Sequence, residues 1–341
     1  MEFYDAVVVG AGVSGLSCAR ALADQGWSVV VLDRSARVGG RCASKAVDRG
    51  PVADLGPVFI HGDDPGFLSV VRSVEGLVPG WPHRVRGTGT PCQPAAFEPG
   101  QWRFGVTGGI NALARGLAAG LNLVLGVEAL GWSRESDGLA VTTTAGPFRG
   151  RHLVWALAPD QTRGLLAKGP GGPSVASATA LLASFSCLPS LALLVQYPRG
   201  TPVPDWDLWY PETSPVLLVS NEVSKRPVDP VGSVVLTIQS RPAWAARRLE
   251  DDRTVWTAEL LAEAAGVVGA WAAEPEGWVA HRWKYGRLGP ADHLARPLVF
   301  EGEGKGVWAL VGDLFDPAGG LQGAWRSGQV LAQRLSAAAG R

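Results

Sequence analysis

The chain has 341 residues, long enough for two substantial domains with large cores. Lys plus Arg and Asp plus Glu balance at 31 each, which excludes a broad polycationic surface for nucleic acid. No apolar run approaches the roughly 18 residues that span a bilayer, and Cys18, Cys42, Cys92 and Cys187 lack metal-ligand spacing or a C-x-x-C pair. The expectation is a cytoplasmic protein with reduced thiols, no metal, no membrane or nucleic-acid partner, and no secretory leader ahead of its first strand. The sequence leaves the oligomeric state open.

In chain order, a β-branched run at 7–9 predicts a buried parallel strand. Gly10-x-Gly12-x-x-Gly15 follows at once. Gly10 suits a tight turn, Gly12 the close approach of a pyrophosphate, and Gly15 the packing of helix on strand. Val13 and Ser14 complete that loop. A helix over 16–25 stops at Gly26, a second strand occupies 29–32, and Asp33 closes it about twenty residues after the glycines, placed to accept ribose hydroxyls. Strand, glycines, helix, strand and acid arrive in the order a dinucleotide site requires.

After Asp33 come Arg34, Ser35, Ala36, Arg37, Val38, Gly39, Gly40 and Arg41. The second glycine pair and its arginine narrow the dinucleotide to FAD, since backbone approaches the ligand again and a fixed positive charge stands beside phosphate. This opening resembles the two-dinucleotide-binding flavoproteins of the amine oxidase superfamily. By that resemblance the stretch Asp54-Leu55-Gly56-Pro57-Val58 runs alongside the flavin ring. His61 corresponds to a substrate-cavity histidine of polyamine-type oxidases; as a plain turn residue it would instead cap Asp63 and Asp64.

Residues 62–100 are rich in Pro and Gly, with one helical stretch at 67–74. Thr107 is placed to cap a helix whose apolar face is Ile110, Leu113, Ala114 and Leu117. A strand at 123–127, a β-meander over 132–145 and a buried strand at 153–159 follow. By resemblance Val127 ends the adenine-side strand. Between about 170 and 295 the texture changes to alternating runs at 191–197, 216–220, 234–239 and 278–285 around an amphipathic helix at 253–265. That pattern predicts an antiparallel sheet with a helix. Near the C-terminus a strand ends at Gly312-Asp313 and a helix starts near Leu321. Asp313 could accept ribityl hydroxyls, the helix N-terminus offers partial positive charge, and Gly320, Leu321, Gln322 and Ala324 allow close approach of a flavin.

The fold class expected is α/β: a discontinuous, Rossmann-like, two-dinucleotide-binding FAD domain over 1–75, 101–169 and 296–341. An inserted α+β antiparallel-sheet substrate domain takes 76–100 and 170–295. The 14 tryptophans belong mostly to core packing.

The stretches at 102–109, 221–227 and 281–286, with the moderate length, sharpen the resemblance to renalase-like flavoproteins. The resemblance implies a non-covalent FAD oxidase. It would pass hydride from a small substrate, such as a misreduced dihydro-nicotinamide nucleotide, to flavin N5, with molecular oxygen reoxidising the flavin to give hydrogen peroxide. Arg103, Lys225, Arg282, Trp283 and His61 are the cavity candidates. As ordinary residues the cations would be surface charges and Trp283 core. The superfamily's cage aromatic falls on Gly320 and its strand lysine on Ala192, and no cysteine precedes Gly319-Gly320 to attach the flavin. The alternatives are an amine or polyamine oxidase, a carotenoid or porphyrin desaturase, and a non-catalytic FAD-binding partner protein.

Overall fold

A computed structural model describes residues 2–48, 50–226, 232–289, 292–301 and 306–340; Pro227, the end of one renalase-like stretch, lies outside them. The chain divides into two compact units, Met1–Gly40 with Leu113–Cys187 and Leu288–Arg341, and Arg41–Ala112 with Leu188–Arg287. The compact units place 41–75 and 101–112 with the second unit and 170–187 and 288–295 with the first, where the sequence reading assigns each the other way.

The first unit is built on a sheet whose central path runs 129–134, 139–143, 146–155, 3–9, 29–33, 122–125. Phe3–Val9 pairs in parallel with Val29–Asp33 and with the far half of Gly146–Trp155. Asn122–Leu125 and Val307–Leu310 extend the parallel part. The meander is antiparallel, as its alternation predicts. Central strands buried on both faces need continuous apolar runs, which is why Val7, Val8, Val30, Val31 and Leu32 are all buried. Trp132, Trp155 and Trp308 share this core, with Phe300 stacked on Trp308 at 4.1 Å. Val13–Ala23 packs on Gly320–Ala338, because Gly328 lets the second helix close onto Ser14 and Ser17. Two helices of this unit, Pro159–Leu166 and Pro173–Ala183, carry no clear apolar stripe and were not legible. Each starts at a proline, whose missing N–H costs nothing there.

The second unit centres on a six-stranded sheet in the order 277–287, 188–196, 235–240, 216–221, 208–209, 85–86. All its pairings are antiparallel except the last. Arg253–Val268 covers it with Trp256, Leu260, Leu261 and Ala264. Ile60–Gly62, Trp102–Val106 and Leu77–Pro79 form a smaller sheet. Thr107 does not cap the helix that follows. The Gly108-Gly109 turn delays it to Asn111–Ala118, and its leading N–H groups are taken by Asp54 and Ser44 instead. Among the described residues no helix is long and apolar enough to cross a membrane.

Candidate functional site

In the first unit, Gly10 turns the chain with φ at 114°, and a β-carbon on it would strike the Ala156 carbonyl. A β-carbon on Gly15 would strike the Gly10 carbonyl, so helix and strand meet as closely as backbone allows. Gly12 differs: a β-carbon there meets nothing within 4 Å. It stands at the start of the helix, whose first i→i−4 bond is Leu16 N–H to the Gly12 carbonyl. The N–H groups ahead of that bond are left for a ligand, and the helix dipole favours an anion. Gly39 N–H bonds the Ala11 carbonyl and Gly39 bridges Gly12, so the second glycine pair returns to the first. Asp33 does more than await a ribose. Its two carboxylate oxygens accept the N–H of Ala11 and of Ser35, both at 2.7 Å, which leaves one lone pair on each for ligand hydroxyls. Val127 N–H bonds the Asp33 carbonyl, and Arg34 is exposed beside it.

At the other end of this unit, Asp313 opens a short 3₁₀ turn after the strand, and the helix begins at Gly320. Arg326 forks onto buried Asp316 with two contacts of 2.6 Å, tying the loop to the helix that follows it. Leu321 is half-buried, Gln322 and Ala324 are buried, and a β-carbon on Gly320 would meet open space. The open Gly12, the helix N-terminus and the half-used Asp33 carboxylate together fit a dinucleotide.

In the second unit the five cavity candidates separate into four places. His61 and Arg103 are cross-strand partners. His61 lies in a strand and not in a turn; Asp64 itself caps the next helix through Phe67 N–H, and His61 Nδ1 lies 3.4 Å from Gln101 Oε1. Burial holds the His61 imidazole below its ordinary value. Arg103 bonds the Ala96 carbonyl and lies over the Phe97 ring at 5.1 Å. Arg282 is fastened to the Asp251 carbonyl, just ahead of the covering helix.

Lys225 is no surface charge. Its side chain is 0% exposed, and its ammonium bonds Asp54 and Glu222, each at 2.8 Å, with the Trp81 ring at 4.6 Å. Asp54 also accepts from Ser44 and from Ile110 N–H, while Glu222 accepts from Ser220 and from Asp54 N–H. Every polar atom in the cluster is used, the condition under which a buried ion pair is tolerated. Burial, and then the neighbouring Asp54, raise the Glu222 carboxyl, against the lowering pull of Lys225.

Trp283 stands beside Gly56 and donates its indole N–H to the Leu55 carbonyl at 2.9 Å, with His281 against its ring at 4.0 Å. Burial, followed by Lys45 and Arg253, brings His281 down to about 4. A β-carbon on Gly56 would strike the Arg41 carbonyl, so the two stretches meet backbone to backbone. Pro57 is half-buried and Val58 buried. Ala192, the position to which the resemblance gives a lysine, is fully buried and packs with Ala53 and Leu55, with half-buried Trp283 against them.

The profile of the NAD(P)-binding Rossmann-like domain matches residues 8–74. A flavin-containing amine oxidase from Danio rerio is 44% identical over 69 residues, which is 20% of this chain and 13% of the relative. The sequence match thus spans a small part of the relative's length. Cyclohexylamine oxidase from Brevibacterium oxydans IH-35A superposes with a TM-score of 0.75 over 100% of both chains at 16% identity. The fold is that of cyclohexylamine oxidase. A putative protoporphyrinogen oxidase from Exiguobacterium sp. 255-15 superposes equally well, TM-score 0.75 at 13% identity over 99% of this chain and 100% of that one. The shared fold therefore selects no substrate.

Reading the sequence missed Glu222, Gln239, and the Asp316–Arg326 pair. Glu222 lies three residues before Lys225, a helix-like spacing that could have marked it. Gln239 had no signal beyond that of one polar residue in a strand that also carries Thr237 and Ser240.

Proposed function

We propose that the protein is an FAD-dependent oxidoreductase that oxidises a small molecule. The observation that carries this is the Gly12 opening at a helix N-terminus, bounded by Asp33 and by the returning Gly39. Gly10 to Gly15, Asp33, Arg34, Gly40, Arg41 and Val127 would hold the nucleotide part. Gly56, Pro57 and Val58 in the second unit, and Asp313, Gly320, Leu321, Gln322 and Ala324 in the first, are the stretches that the resemblance assigns to the flavin part. Bound there, FAD would supply a hydride acceptor at N5 that molecular oxygen restores with release of hydrogen peroxide. The chain's own residues would place the donor, keep water out and present neutral imidazoles; none is required to take a proton when the substrate already carries a transferable hydride.

For the substrate we favour a renalase-like donor, a misreduced dihydro-nicotinamide nucleotide. Ala192 puts no ammonium on its strand, Gly320 puts no aromatic at the helix start, and Lys225 is held by two carboxylates. A flat ring needs neither. An amine or polyamine is the second reading, supported by the named relatives and by His61 beside Arg103. Stopped-flow mixing under anaerobic conditions decides between them. Dihydro-nicotinamide isomers should bleach the flavin rapidly, and spermine, spermidine and benzylamine should not; the reverse hands the substrate to the amine class. Purified protein should be yellow and release its flavin on acid precipitation, since Ala318, not a cysteine, stands immediately before Gly319. Flavin left in the pellet would overturn the non-covalent assignment, and colourless protein that FAD cannot reconstitute would overturn the cofactor.

A further inference from the structure

Gln239 lies at the end of Val235–Ser240, directly beside Ala192 in the sheet. Its side chain is buried, and its amide nitrogen donates to the Gly56 carbonyl, with the Leu55 carbonyl at 3.4 Å. From the outer strand of the same sheet, Trp283 Nε1 donates to that Leu55 carbonyl. Two consecutive peptide carbonyls are therefore each met by a side-chain N–H from a rigid strand. Such donors fix the rotation of the two peptide planes, which sheet pairing does not do here: the strand Ala53–Asp54 has ended one residue earlier. A β-carbon on Gly56 would strike the Arg41 carbonyl, so the segment has no room to move toward Arg41. Upstream, Asp54 is anchored by Lys225, Ser44 and Ile110.

We propose that Gln239 and Trp283 are positioning residues that set the Leu55–Gly56 peptide planes, and through them the face the 56–58 stretch presents to the flavin ring. The inference rests on the cofactor assignment above. It gives Trp283, a cavity candidate by resemblance, the job of a backbone clamp, and it gives a buried glutamine beside Ala192 a partner. A buried carbonyl that loses its donor turns to find another, and the peptide plane turns with it.

The test uses holoenzyme carrying Gln239→Met, which keeps length and loses the donor, and Trp283→Phe, which keeps an aromatic ring and loses the N–H. The readouts need no substrate: the visible absorption band of the bound flavin, and its rate of reoxidation by oxygen after photoreduction. The expected result is full FAD content, a shifted band and a reoxidation rate changed about fivefold in each variant, the scale of one hydrogen bond. Gln239→Asn, which retains an amide donor on a shorter arm, should recover part of the shift. A wild-type spectrum and rate in Trp283→Phe and in whichever Gln239 variant folds would overturn the clamp while leaving FAD in place. Wild-type protein that binds no FAD would overturn both, a different outcome.

Discussion

The two units place their chemistry by different means. In the first, Asp33 meets Ala11 across 22 residues of sequence, inside one strand–loop–helix–strand stretch. In the second, Lys225 meets Asp54 across 171 residues, and Trp283 meets Leu55 across 228. A site made of backbone N–H groups and glycines needs only the local chain to be bent correctly, so few side chains carry it. A site made of side chains from distant strands must be held by buried polar contacts, each of which is costly to break. The first unit should therefore lose ligand before it loses stability, and the second should lose stability first.

The largest expected effect is Lys225→Met. It would leave the Asp54 and Glu222 carboxylates facing each other in a buried site, and breaking a buried pair costs about 3–5 kcal/mol. Denaturation by urea, followed by tryptophan fluorescence, should show the loss. A cost below about 1 kcal/mol, the range of exposed pairs, would break the contrast between the units.

Next come two glycines that the sequence motif treats alike. Gly15→Ala forces a methyl onto the Gly10 carbonyl and should cost about 1–3 kcal/mol as overpacking. Gly12→Ala meets open space, and its φ of −77° suits alanine, so stability should be unchanged. FAD retention should nevertheless fall, because the methyl would stand where the pyrophosphate passes. Equal stability loss in both variants would mean that the Gly12 opening is not ligand space. Asp33→Ala should cost about 1.5–3 kcal/mol in FAD affinity, measured by titration, since both the loop tie to Ala11 and the ribose acceptor are lost.

This contrast also explains what was legible. Gly10 to Asp33, the meander and the helix at Gly320 follow from periodicity and glycine placement, because neighbours in sequence are neighbours in space. The alternating runs predicted the second sheet, and its register then put Ala192 between Gln239 and His281. Nothing local could say that Lys225 would find two carboxylates or that Gln239 would reach Gly56. Those contacts depend on which strands become neighbours, and polar residues at strand ends look alike whether they face water or a peptide carbonyl. Thr107 misled for a related reason. A hydroxyl ahead of an apolar helix is a capping signal, yet Asp54, far away in sequence, supplied the acceptor.

The smallest effect concerns protons. Glu222 is fully buried, and the groups facing it are Asp54, Lys225 and Ser220. Two carboxylates on one ammonium carry a net negative charge unless one binds a proton, and burial raises the Glu222 carboxyl above its ordinary 4.5. A raised value means that the folded state holds a proton the unfolded chain releases. The associated stability is fully present below 4.5 and is lost as pH climbs through the raised value. His152 and His281, each brought down to about 4 chiefly by burial, act in the other direction. Their contribution is full above 6.5 and is lost as pH falls toward about 4. Glu222→Gln fixes the neutral form and should leave the histidine limb intact while removing the decline above 4.5. Melting temperatures across this range should show wild type falling relative to Glu222→Gln as pH rises. A constant difference would mean that Glu222 is ionised in the fold and that the cluster carries its extra charge unshared.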